Sequence, residues 1–143
     1  MTETLRILVP TDGSEPSRRA VRHVLDLARR GLAVEIHMLN VQPAVRGVAA
    51  SLVPQADLDA YHREEGMKAL AESIQMVEAA GLTPHVHIGV GDPGETVVAF
   101  AHRLHCSQIV MGTRGLGAVG AALLGSVARH VVGDGTLPVT LLR

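Results

Sequence analysis

The chain has 143 residues, 13 Lys and Arg against 14 Asp and Glu, and 47% apolar residues. That length fits one domain, residues 1–143, with a single core, and the near-zero net charge excludes electrostatic attraction to nucleic acid or to an anionic membrane as the main activity. Cys106 is the only cysteine, which excludes an internal disulfide framework or a Cys-rich zinc site and predicts a small buried hydrophobe in a reducing compartment.

Residues 5–9 are a compact apolar run that stops at Pro10 and reads as a first strand. Asp12-Gly13-Ser14-Glu15-Pro16 is a turn and helix-start cluster. Ala20, Val21, Val24, Leu25 and Ala28 then recur at helical spacing, and Gly31 ends that helix. Val34, Ile36, Met38 and Val41 fit a second strand, and residues 42–55, with two prolines and a glycine, form the longest apparent loop. A long helix is predicted over residues 56–80, with Leu58, Tyr61, Met67, Leu70, Ile74 and Val77 on one stripe, closed by Gly81. Residues 84–90 alternate as a third strand. Asp92-Pro93-Gly94-Glu95 is a capping box with proline at the first helical position, and Val97, Val98, Ala101 and Leu104 make the buried face that follows. A fourth strand at 108–111, a glycine-rich stretch, a short helix at 126–132 and a last strand at 138–142 complete the chain.

Strands alternating with helices imply an α/β fold, a doubly wound parallel sheet with helices on both faces. Residues 2–6 are polar and the apolar run after them is too short for a secretory leader. No stretch reaches about 18 uninterrupted apolar residues. The expectation is a soluble, cytoplasmic protein.

Parallel sheets bind ligands beyond the carboxyl ends of their strands, where the strand order reverses. The segment there reads Met111-Gly-Thr-Arg-Gly-Leu-Gly-Ala-Val-Gly-Ala-Ala-Leu-Leu-Gly-Ser126. It leaves a strand and enters a helix, whose first N–H groups have no internal partner and carry partial positive charge. Glycines let phosphate oxygens approach such groups, and Arg114 adds a forked cation suited to phosphate. The segment therefore reads as a cradle for a di- or triphosphate; a packed or mobile glycine loop without a ligand is the alternative. Gly115-x-Gly117-x-x-Gly120 spells the dinucleotide pattern, but it starts beyond the strand end and no later strand supplies a ribose-binding acid. No Gly-Lys-Ser/Thr exists, Lys68 being the only lysine. With Tyr61 and Phe100 the only aromatics, flavin binding lacks stacking rings.

Gly112, Gly115, Gly125 and Ser126 reproduce the spacing Gly-x2-Gly-x9-Gly-Ser. Around them stand Ile-Leu-Val-Pro-Thr-Asp-Gly-Ser at 7–14, Gly91-Asp92-Pro93, Ile109-Val-Met-Gly-Thr-Arg-Gly-Leu-Gly117 and Leu137-Pro-Val139. In these motifs, over essentially its whole length, the chain resembles the ATP-binding members of the universal stress protein family. The resemblance implies a Rossmann-like five-stranded parallel sheet in order 3-2-1-4-5. It implies that Pro10, Thr11 and Asp12 line the adenosine end and that Val41 holds adenine through its backbone. Met111, Gly112, Arg114 and Gly115 would wrap the phosphates, and Gly125, Ser126 and Val127 would close the site at the helix start. It further implies ATP with Mg²⁺, a homodimer, and a nucleotide-dependent regulatory role in the stress response. The residue before Pro138 is Leu137 where many relatives have Cys. Residues 116–124 hold no basic side chain, so phosphate neutralisation would rest on Arg114, backbone donors and a metal.

The residues themselves agree on Asp12, whose carboxylate suits an adenine amino group or ribose hydroxyls and not phosphate; a plain turn acid is the alternative. Hydrolysis needs a base or water-orienting group near the terminal phosphate. Segment 112–126 offers Thr113, Arg114 and Ser126 but no carboxylate or histidine. Little or no turnover is expected, no catalytic residue is assigned, and His130, one turn into the following helix, is the first residue to test. A slow Mg²⁺-dependent ATPase and a nucleotide-free interaction protein are the other classes. Eight histidines, His85 with His87 on one strand face and His102 with His105 on a helix among them, are expected to be surface or half-buried rather than metal ligands. In the implied order, residues 138–142 form an edge strand with unpaired backbone groups, which pairing with a second copy would cover.

Overall fold

The computed structural model describes residues 3–114 and 124–143. Five parallel strands lie in the order β3-β2-β1-β4-β5: β1 (Leu5–Pro10), β2 (Val34–Gln42), β3 (His85–Val90), β4 (Gln108–Gly112) and β5 (Val139–Leu142). The expected sheet and strand order are those observed. Among the described residues five helices connect the strands: α1 (Glu15–Arg29), α2 (Val48–Ser51), α3 (Gln55–Ala79), α4 (Pro93–Arg103) and α5 (Ser126–Asp134).

Strand alternation divides the core into two layers. Ile7, Val9, Ile36, Met38 and Val110 face α1 and α3, meeting Val21, Val24, Leu70 and Val77. Leu8, Leu39, Ile109 and Met111 face α4 and α5, meeting Val97, Ala101, Ala128 and Val131. β1 and β4 are buried on both faces, which is why residues 7–9 and 109–111 read as continuous apolar runs. Cys106 packs in the second layer. Among the described residues no helix is long and apolar enough to cross a membrane.

Helix starts follow their caps. Ser14 caps α1, accepting from Ser17 N–H, and Pro16 occupies the first turn. Asp92 caps α4, its Oδ2 accepting from Glu95 N–H at 3.1 Å.

Two expectations are corrected. The 42–55 loop contains the single-turn helix α2. The buried stripe of α3 is also displaced from the predicted one: it runs through His62, Gly66, Leu70, Ser73 and Val77, while Tyr61 is 51% and Met67 39% exposed. Leu70 and Val77 of the predicted stripe are fully buried, but Gly66 and Ser73 share that face with them, because the helix lies close on β3. A Cβ at Gly66 would stand 2.8 Å from Ile88 Cδ1. Large apolar side chains mark the stripe in the sequence, but close packing selects glycine and serine.

A polar cluster sits among the apolar layers. His37 on β2 is 3% exposed, and its Nε2 lies 2.7 Å from Glu35 Oε1 and its Nδ1 2.9 Å from His87 Nε2. Burial pushes His37 and His87 below the ordinary imidazole range. The hydrogen bond from His37 holds the Glu35 carboxyl low, with Arg6 adding to the effect.

Burial pushes the Cys106 thiol up to about 11. A water-soluble disulfide reagent at mildly alkaline pH is therefore expected to react with native Cys106 at least about a hundredfold more slowly than with the urea-unfolded chain. Equal rates would contradict the buried placement.

Candidate functional site

The strand order reverses between β1 and β4, whose connections run to opposite faces of the sheet, and beyond the carboxyl ends of these strands lies a cavity of about 650 Å³. That size suits a small molecule or cofactor. Pro10, Thr11, Asp12, Val41, Met111, Gly112, Arg114, Gly125, Ser126 and Val127 all line it. Gly115 lies outside the described residues. His130 does not line the cavity; it packs on α4, where a Cβ at Gly94 would stand 2.6 Å from its Cγ.

Backbone and side-chain hydrogen bonds hold each wall. Thr11 N–H donates to Leu39 O at 2.8 Å, Asn40 Nδ2 to Thr11 O at 2.8 Å, and Gln42 Nε2 to Asn40 Oδ1 at 2.6 Å. The ends of β1 and β2 are thus joined through a buried amide. Asp12 Oδ1 accepts from Ser14 N–H at 2.9 Å, and Arg18 Nη1 donates to Gly13 O at 2.6 Å, fixing the turn into α1. On the far wall, Thr113 N–H donates to Leu142 O at 2.7 Å and Gly125 N–H to Thr113 O at 2.7 Å. The chain that leaves β4 therefore returns to the same point before α5 begins.

α5 starts without side-chain help. Its N-cap is Gly125, with no side-chain cap hydrogen bond, and Ser126 is the first helical residue rather than the cap. The first intrahelical bond runs from Arg129 N–H to Gly125 O. The N–H groups of Ser126, Val127 and Ala128 precede it, and these residues line the cavity. Helix polarity makes this wall attractive to an anion, and Arg114 also lines the cavity. Leu39, Val41, Val97 and Met111 give the cavity apolar surface. One cavity thus offers an apolar region, a carboxylate at Asp12, and a cationic, amide-rich wall.

The glycines of the motif have different roles. A Cβ at Gly112 would stand 2.6 Å from Pro16 Cβ and 2.9 Å from Pro16 C, so α1 itself requires glycine there. At Gly125 the nearest atoms, Thr113 O and Arg114 Cα, would stand at 3.5 Å, an ordinary contact. Sequence reasoning treats both as openings for phosphate; only Gly125 leaves space that the protein does not need. It also misses Asn40, whose signal is a lone amide at the carboxyl end of a buried apolar strand.

A family model described as the universal stress protein family matches residues 3–143. This chain belongs to the universal stress protein family. Among its relatives in that family, universal stress protein MJ0531 of Methanocaldococcus jannaschii is 33% identical over 140 residues, spanning 96% of this chain and 81% of its own. The solved structure of hypothetical protein MJ0577 superposes with a TM-score of 0.82 at 28% identity, over 96% of this chain and 94% of that one. The universal stress protein from Archaeoglobus fulgidus in complex with dAMP shares the fold, with a TM-score of 0.71 at 21% identity over 100% of both chains.

The contrast between the two glycines is testable by urea denaturation. Gly112→Ala is expected to lower stability by about 1–3 kcal/mol through overpacking against Pro16. Gly125→Ser, which supplies a favoured N-cap residue, is expected to stay within about 0.5 kcal/mol of the parent. The reverse order would contradict these roles.

Proposed function

We propose that this universal stress protein is an ATP-binding regulatory module. The observation that carries the reading is the convergence of two unlike walls on one cavity: the Asp12 turn with the β2 end on one side, and Arg114 with the uncapped start of α5 on the other. Adenosine fits the first wall, with the backbone of Val41 against adenine and Asp12 accepting from ribose hydroxyls or the adenine amine. Pro10, Thr11 and Met111 complete that end. Phosphates fit the second, held by the backbone N–H groups of Ser126, Val127 and Ala128 and by Arg114, with Gly125 leaving space beside them. The adenine end also draws support from the Archaeoglobus relative, which is held in complex with dAMP.

Mg²⁺ is proposed to accompany the phosphates. Asp12 is the one carboxylate among the described lining residues, so the protein supplies no cage for the ion. Coordination by phosphate oxygens and water suits its chemistry. Neither a histidine nor a second carboxylate is found among the described lining residues; with Asp12 assigned to the adenosine end, we assign no base for water. ATP then serves as a bound signal and not as a substrate consumed. We place the protein in the cytoplasm, and propose a homodimer formed through β5, an edge strand of the sheet.

Small molecules released from the purified protein, read by mass spectrometry, are expected to include an adenine nucleotide. Titration calorimetry is expected to give saturable Mg²⁺–ATP binding, weakened at least about tenfold by Gly125→Ser, whose hydroxyl takes the free amides of α5. Turnover is expected to stay far below about 1 s⁻¹. An ATP-free preparation that binds no added nucleotide would leave the scaffold as an interaction module, and ordinary enzymatic turnover would make it an ATPase; either contradicts the proposal.

A further inference from the structure

The register of the parallel sheet gathers titratable side chains on its α4 face, away from the cavity. Arg6 pairs with Glu35 between β1 and β2, and His37 pairs with His85 between β2 and β3. Glu35, His37 and His85 each bring one ligand atom to within 4.8 Å of the others. Glu35 lies six residues before Val41 on β2, about 20 Å along the strand from the end that lines the cavity.

We propose that Glu35, His37 and His85 form a binding site for a divalent first-row transition ion, with Zn²⁺ best matched to the donors. Two imidazoles and a carboxylate are the donor set of open zinc sites, which complete their coordination with water. Hard ions such as Mg²⁺ and Ca²⁺ prefer all-oxygen shells and are a poor match.

His37 is the fixed ligand. Its ring stacks between His85, centroids 4.8 Å apart at 23°, and His87, centroids 5.2 Å apart at 19°. Phe100 of α4 lies against His87, 6.1 Å between centroids. Nδ1 contacts His87 Nε2, leaving Nε2 directed at Glu35 Oε1. Without an ion, an N–H on Nε2 bridges to Glu35, and His87 donates to Nδ1. With the ion, the His37 hydrogen sits on Nδ1 and donates to His87, whose own hydrogen moves to its Nδ1. Each ring keeps one hydrogen, so the ion takes the position of the bridging one. His87 is then a positioning residue that fixes the tautomer of a ligand.

Glu35 and His85 are the mobile ligands, both half-buried and open to an ion from solvent. Zn–N and Zn–O bonds of about 2.0–2.2 Å require these side chains to close on the centre by about an ångström. Arg6 is the competitor: its Nε and Nη2 lie 3.1 and 3.0 Å from Glu35 Oε1. Its side chain is 41% exposed, so it has solvent to move into.

The test uses the untagged full chain, stripped with chelator and titrated with Zn²⁺ by calorimetry, without nucleotide. One ion per chain is expected. Glu35→Gln and His85→Gln, both at half-buried positions, should each weaken uptake at least about tenfold, and Arg6→Gln should tighten it. A His102→Gln/His105→Gln variant serves as the control and should bind as the parent does. Zn²⁺ should raise the Tm of the parent but not that of the Glu35→Gln/His85→Gln double variant. Circular dichroism on that double variant confirms that it is folded. Absence of Zn²⁺ uptake at micromolar protein would overturn the proposal, as would parental affinity in the folded double variant. ATP binding is read separately, so failure here leaves the nucleotide reading standing, and the converse.

Discussion

The hydrogen bond from Gly125 N–H to Thr113 O, backed by the one from Thr113 N–H to Leu142 O, is the constraint on which the site depends. It brings the start of α5 back against the end of β4 and so closes the loop between them at its base. It sets the first amides of α5 beside the end of β4, while Ala128 and Val131 anchor the helix in the core layer shared with Leu39. The sheet supplies the other half of the arrangement. Because the order reverses between β1 and β4, the turns that follow these strands diverge to opposite faces and leave a crevice between them. The cavity is a consequence of topology; its polarity comes from a helix start without a side-chain cap and from an arginine and an aspartate in its lining.

The two ends of the strands carry different chemistry. At the carboxyl end, backbone amides and one carboxylate dominate, a set suited to an anionic ligand with a hydroxylated, apolar body. On the α4 face nearer the amino ends, imidazoles and a carboxylate dominate, a set suited to a soft or borderline cation. Leu39 lies between them on β2, packed in the same layer as Val97 and Met111. The two proposed sites therefore share one strand and one helix layer but no side chain.

Much of this architecture is legible in the sequence. Buried parallel strands announce themselves as apolar runs, and caps such as Ser14 and Asp92 mark helix starts. The glycine motif joins a strand end to a helix start, the place where free amides meet a ligand. Pro10 to Asp12, Val41 and the described residues of that motif surround one cavity. What the sequence conceals depends on contacts between distant segments. The α3 face escapes it because Gly66 and Ser73 are buried for their smallness, which periodicity of large side chains does not register. The requirement at Gly112 comes from Pro16, far away in sequence, and looks the same as an opening for a ligand. His85 and His87 visibly share a strand face, yet His37 and Glu35 join them only through the register of β2 on β3.

The most direct measurement of the central claim is an amide-resolved nuclear magnetic resonance titration of the folded chain with Mg²⁺–ATP. The account predicts that the largest shifts fall on the amides of Ser126, Val127 and Ala128, with Asp12 and Val41 responding in the same saturable phase. Shifts confined to the opposite ends of the strands, or none at those five amides at saturating nucleotide, would contradict it.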